Sequence, residues 1–240
     1  MLLTLVAGMV LFALATAWAL DRHGRRARVF LPPGPSGEPP LAAMVLDDPV
    51  AVYRWWRELG VAGRIVLYAG DRWSSLVPPQ LELPLENAAY PMAVVNPAAV
   101  IEREQLTADT FLYVASRTGV ARRVDALLSP EGFREMRAVA ADARNAAVEP
   151  DRLFMTSNGF PRTFYHSAGL RTAGEPVLLY VGASWFRTGT AEELGRALTR
   201  AGMRADVVAI CLERNDASLP PAARDALVRF AREAGLVSGG

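Results

Sequence analysis

The chain has 240 residues, enough for one sizeable α/β domain or two small ones, and its 51% hydrophobic content leaves a real core even with the first twenty residues set aside. All 26 basic residues are arginine, which excludes lysine chemistry such as a Schiff base or a P-loop. Subtracting the four arginines and one aspartate of residues 21–28 from 26 basic and 25 acidic residues leaves 22 against 24, too balanced for a nucleic-acid surface.

Residues 1–20 form an apolar run without a charged side chain. As a helix this run would extend about 30 Å, the thickness of a bilayer's hydrocarbon layer. Arg22, Arg25, Arg26 and Arg28 follow it. A secretory signal carries its positive charge before the apolar stretch, whereas cytoplasmic flanks of retained spans are arginine-rich. The order therefore predicts a permanent single-pass anchor in the inner membrane, N-terminus outside and the remaining chain in the cytoplasm. The small residues Ala15, Ala17 and Ala19 support the competing arrangement, a cleaved signal and a periplasmic domain.

Residues 29–40 contain five prolines and two glycines, so residues 21–40 as a whole read as a basic juxtamembrane segment and semi-rigid linker. The globular domain is expected over residues 41–240. Residues 42–46 predict a buried strand. Asp48 and Pro49 then form an N-cap and first helical position, and Val52, Trp55, Trp56 and Leu59 share one helical face before the stop at Gly60. Two adjacent tryptophans on a helix cannot both point straight inward, so one of them is expected to face a partner or the membrane. A strand follows over 64–69.

Prolines 78, 79 and 84 predict a long loop over 74–87, with a strand over 92–95 and a short helix over 97–105 after it. Residues 110–115 and 121–128 read as a hairpin or as one strand and its continuation. Ser129 and Pro130 open a helix reaching about residue 146, with Phe133, Met136, Ala140 and Ala143 inward. Residues 153–156 predict a strand and 157–159 a turn. Residues 161–169 read as a short helix in preference to a hairpin's return arm. A buried strand is expected over 177–181. Thr190 and Glu193 form a capping box for a helix whose Leu194, Ala197, Leu198 and Ala201 face inward. A strand over 205–212 and a helix over 221–234 complete the pattern. Strands alternating with helices predict a mostly parallel sheet flanked by helices.

Residues 48–73 and 160–185 align without gaps at a separation of 112, sharing Pro49/Pro161, Tyr53/Tyr165, Leu67/Leu179, Tyr68/Tyr180, Gly70/Gly182 and Trp73/Trp185. Either the domain is an internal duplication with halves 41–128 and 150–235, or two buried strands independently end in a glycine turn with an aromatic lid.

Ligands of parallel α/β sheets bind beyond the strands' carboxyl ends. Two clusters belong there. Asp47, Asp48 and Asp71 could hold a divalent cation, although Asp48 as an N-cap and Asp71 as a turn former explain them as well. Ser184, Arg187, Thr188, Gly189 and Thr190 could cradle a phosphate or carboxylate, against ordinary loop and capping chemistry. His166 is the only histidine past the basic block, no G-x-S-x-G elbow accompanies it, and the lone Cys211 lies in a buried strand. No cofactor and no catalytic set are expected. The expectation is a membrane-anchored, non-catalytic accessory or scaffold subunit that meets the bilayer and integral membrane subunits. The alternative is a membrane-tethered enzyme or binding domain for an anionic small molecule.

Overall fold

The computed structural model describes residues 28–29, 42–72, 101–103, 105–141, 143, 146–157, 160–171 and 173–236. The predicted anchor 1–20, the loop and strand over 74–95, Trp73 and the tip of the turn at 158–159 lie outside the described residues. Among the described residues no helix is long and apolar enough to cross a membrane.

Among the described residues one nine-stranded sheet runs through the domain. Its strands are β1 (Arg28–Val29), β2 (Ala42–Leu46), β3 (Arg64–Ala69), β4 (Ala121–Leu127), β5 (Ala146–Val148), β6 (Arg152–Ser157), β7 (Phe160–Tyr165), β8 (Val177–Gly182) and β9 (Arg204–Cys211). Across the sheet β2, β9, β8, β3, β4 and β7 are parallel, and β6 and β5 continue it antiparallel. The sheet is eight positions wide, because β1 and β2 share the outer edge of β9: β1 pairs with Arg204 and Ala205, and β2 with Val207 to Cys211.

Helices α1 (Pro49–Glu58), α2 (Phe111–Arg117) and α3 (Pro130–Ala141) cover one face, and α4 (Ala191–Arg200) and α5 (Pro221–Glu233) the other. Because β3 and β8 are covered on both faces, they read as continuous apolar runs. Val66, Tyr68, Leu178 and Tyr180 enter the first layer, whereas Leu67, Leu179 and Val181 enter the second.

Several expectations are corrected. Residues 111–117 are helical, not a strand; Phe111 to Ala115 are all buried, so the polar face that would reveal a 3.6-residue period is missing. Residues 160–165 are the return arm of a hairpin with β6, not a helix. Helix α3 stops at Ala141, short of its expected end near residue 146, where β5 begins. Strand β2 is an edge strand, with Met44 and Val45 exposed. Trp55 and Trp56 are both buried, because the inward stripe of α1, Val52, Tyr53, Trp55 and Trp56, is wide enough to include neighbours.

The 112-residue repeat holds over only part of its length. Leu67/Leu179 and Tyr68/Tyr180 are direct partners of the adjacent strands β3 and β8. Upstream, however, Tyr53 lies on helix α1 and Tyr165 on strand β7, so the aligned segments adopt different structures.

Candidate functional site

From β3 the chain steps to β4 and β7 on one side, and from β8 it steps to β9 on the other. The seam between β3 and β8 is therefore the topological switch point, whose carboxyl end is the usual ligand seat of an open α/β sheet. Asp71, Ser129, Ser184 and Glu213 meet there, each just past the end of β3, β4, β8 or β9, and all four are buried.

Two carboxylates organise the cluster. Asp71 Oδ1 accepts from the Ser129 amide at 3.0 Å, and Oδ2 accepts from the Thr188 hydroxyl at 3.3 Å. Ser129 is also the cap of α3, its Oγ accepting from the Gly132 amide at 3.1 Å. Asp71 thus sits on a helix N-terminus, where the unpaired amides and the macrodipole favour an anion. The absent side chain of Gly132 makes the room: a Cβ there would lie 2.4 Å from Asp71 Oδ1.

Glu213 is fully buried and has φ 50°, a left-handed conformation that is uncommon outside glycine. Its Oε2 accepts from the Ser184 amide at 2.6 Å, while Oε1 accepts from Tyr180 Oη at 2.9 Å and Ser184 Oγ at 3.2 Å. Gly182 leaves it space, because a Cβ there would approach Glu213 Oε1 to 2.7 Å. Ser184 Oγ also accepts from the Asp71 amide at 3.1 Å, so one hydroxyl joins the two acidic residues. Burial raises the pKa of both carboxyls, and the hydrogen bonds they accept oppose the rise.

The expected anion cradle is divided by these contacts. The amide and hydroxyl of Ser184 serve Glu213, and the Thr188 hydroxyl serves Asp71. The Thr190 amide and hydroxyl both donate to Glu193 Oε2, and the Thr190 hydroxyl accepts the Glu193 amide in return, completing the capping box. Gly189 leaves room for the Trp185 indole, because a Cβ there would come within 2.8 Å of the ring. Arg187 is exposed and acts on Asp71 through its charge, which lowers that carboxyl's pKa.

The three candidate metal ligands occupy separate surroundings. Asp48 caps α1 through the Ala51 amide at 2.9 Å, Asp47 pairs with Arg214 Nε at 2.8 Å, and Asp71 belongs to the buried cluster. No group of three His, Cys, Asp or Glu side chains suited to a metal ion occurs among the described residues. His166 uses Nδ1 to accept from the Ala168 amide, and its ring packs edge-on against Phe133.

Ser129, Glu213, Tyr68 and Tyr180 were not among the expected site residues. The signal for Glu213 was its position, since the strand-end rule that selects Asp71 and Ser184 selects it too. Away from this cluster, a concavity of about 780 Å³ lies open between α4 and α5, lined mainly by apolar atoms of Gly195, Thr199, Phe230 and Ala234 and their neighbours. No protein-family model matches the chain, and no curated protein or solved structure matches it either.

Proposed function

We propose that the chain is a membrane-anchored, non-catalytic accessory or scaffold subunit of an inner-membrane complex. Residues 1–20 span the bilayer, residues 21–40 form the link apart from Arg28–Val29, which join the sheet as β1, and the α/β domain docks in the cytoplasm against integral membrane subunits. One observation carries the non-catalytic reading. At the switch point, the donors that would receive an anionic substrate are bonded to the chain's own Asp71 and Glu213. An incoming phosphate or carboxylate would have to displace these buried carboxylates, leaving each without its partners at several kcal/mol by the usual cost of an unpaired buried charge. A tethered enzyme or binding domain for an anionic small molecule is correspondingly less favoured.

The test is purification of the full-length protein in mild detergent, with its mass measured by light scattering and its co-purifying proteins identified. A stoichiometric integral membrane protein is the expected result, lost when residues 1–40 are replaced by an unrelated anchor or when the domain is deleted. A free monomer without such a subunit overturns the proposal. A C-terminal reporter active on one side of the membrane checks the orientation, and activity on the periplasmic side would reverse it.

A further inference from the structure

Charge is unevenly distributed along the strand axis. The six parallel strands begin at one end of the sheet, and α1, α2 and α4 return to that end. Six arginines gather there: Arg64, Arg122 and Arg204 at the starts of β3, β4 and β9, and Arg57, Arg117 and Arg200 in the last turns of the three helices. Arg57, Arg64 and Arg122 are paired with Glu102, Asp206 and Glu175, and the exposed Glu58 adds one carboxylate to this end beside Arg57. Arg117, Arg200 and Arg204 have no carboxylate at ion-pair distance among the described residues; Arg200 and Arg204 donate to the Ser167 and Gly174 carbonyls, and Arg117 and Arg200 are exposed. The opposite end presents Asp47, Asp109, Glu192, Glu193 and Asp216, against Arg72, Arg187 and Arg214, of which Arg72 is paired with Asp109 and Arg214 with Asp47. Helix dipoles explain arginines in the last turns, but they do not explain Arg122 and Arg204, which lie on strands.

The chain enters the domain at this basic end. The backbone of β1 pairs with Arg204 and Ala205, at the start of β9. Only residues 21–27 separate the apolar run from β1. Eight fully extended steps reach at most about 28 Å. An eight-residue strand such as β9 is itself about 27 Å long, so the acidic end lies that much farther from the point of attachment.

We infer that the arginine-rich end of the domain docks on the headgroups of an anionic bilayer, standing the sheet on the membrane with its carboxylate-rich end turned away. The tether argument rests on residues 1–20 being a membrane anchor; the charge argument does not. Each basic residue near an anionic surface strengthens attachment about fivefold, and acidic lipid repels the opposite end.

The experiment uses the full chain with vesicles of neutral lipid alone or of a phosphatidylserine-rich mixture, whose negative surface attracts polybasic segments. A fluorophore is placed on Glu58→Cys at the basic end or Glu192→Cys at the acidic end, and quenching by headgroup-labelled lipid is read. Cys211 is fully buried and does not compete for the label. The expected result is flotation with both vesicles, with quenching of the Glu58→Cys label enhanced by anionic lipid, reversed by salt and reduced at least about fivefold in the docked-to-undocked ratio by Arg117→Glu combined with Arg204→Glu. Arg214→Glu, at the other end, leaves it unchanged. Flotation with both vesicles but quenching that ignores lipid charge overturns the docking and leaves the anchor standing. Flotation only with anionic vesicles, reversed by salt and still quenching Glu58→Cys, supports the docking and removes the anchor. Flotation with neither removes both.

Discussion

Tyr68 and Tyr180 are direct partners on β3 and β8, with rings stacked 4.8 Å apart at an interplanar angle of 19°. Their hydroxyls diverge. Tyr180 donates to Glu213, whereas Tyr68 accepts from the Arg72 amide at 3.2 Å and donates to the Arg72 carbonyl at 3.4 Å. Phe111 of α2 closes over both rings, at 6.4 and 5.3 Å. The switch point is thus sealed by an aromatic layer beneath and two internal carboxylates above, which gives it the character of a structural joint between the two halves of the sheet.

Tyr180→Phe keeps the stack and deletes a hydrogen bond to a buried carboxyl, so it should cost about 1.5–3 kcal/mol. Tyr68→Phe deletes bonds to neutral backbone groups, at a cost of about 1 kcal/mol. Urea midpoints of the full-length variants in detergent check the ranking. Equal costs would mean that the Tyr180 bond to Glu213 has no special strength.

The sequence revealed elements wherever a local signal was strong. The Asp48 cap with Pro49, the Thr190 capping box and the strands β3 and β8 all lie where expected. Helix α2 was hidden because Phe111 to Ala115 are buried all round, and β7 because its hairpin is defined by pairing with β6. The site was half legible: Asp71 and Ser184 stand out as strand-end residues. Ser184 meets Asp71 across 113 positions and Glu213 across 29, and only the sheet order brings β3, β8 and β9 together. Gly70 and Gly182 in the short repeat hinted at the place without revealing why. Gly182 makes room for Glu213, and a Cβ at Gly70 would meet the Tyr68 ring and Ser184 Oγ.

The raised pKa of Glu213 makes a sign-specific pH prediction. Its ordinary value is 4.5, and burial raises it in the folded state. Between those values the folded state holds the proton more tightly than the unfolded one, so this group's favourable contribution is complete below the ordinary value and is lost as pH rises through the folded pKa. Glu213→Gln does not titrate, and its amide can donate to Tyr180 or Ser184 once those hydroxyls rotate. The stability of the Gln variant relative to the parent should therefore increase from pH 4.5 upward. Urea midpoints between pH 4 and 8 read this directly, and a difference independent of pH contradicts it.

Gly132 and Asp71 should be strongly coupled. Gly132→Ala places a methyl 2.4 Å from Asp71 Oδ1 and forces the carboxylate off the α3 N-terminus, so it should destabilise by about 2 kcal/mol despite the better helix propensity of alanine. Asp71→Ala alone leaves the Ser129 amide and Thr188 hydroxyl without that acceptor, at about 1–3 kcal/mol. In the Asp71→Ala background the methyl meets no carboxylate, and Gly132→Ala should become neutral or stabilising by up to about 1 kcal/mol. A double-mutant cycle measures the difference, and additive costs would show that the close approach does not constrain Asp71.

Thr190 separates capping from anion binding. Thr190→Ala removes the acceptor for the Glu193 amide and should cost about 1 kcal/mol, the usual loss of a threonine N-cap. An anion site at the same threonine would predict something more. With a millimolar dissociation constant, 10 mM phosphate would stabilise the parent by about 1.4 kcal/mol and the variant by less. Because Glu193 Oε2 already accepts from the Thr190 amide at 2.9 Å, phosphate should shift the parent and the variant equally at matched ionic strength. Thermal melts of both proteins with and without phosphate decide the matter. A phosphate-dependent gain of about 1 kcal/mol confined to the parent would restore the anion cradle and displace the scaffold reading.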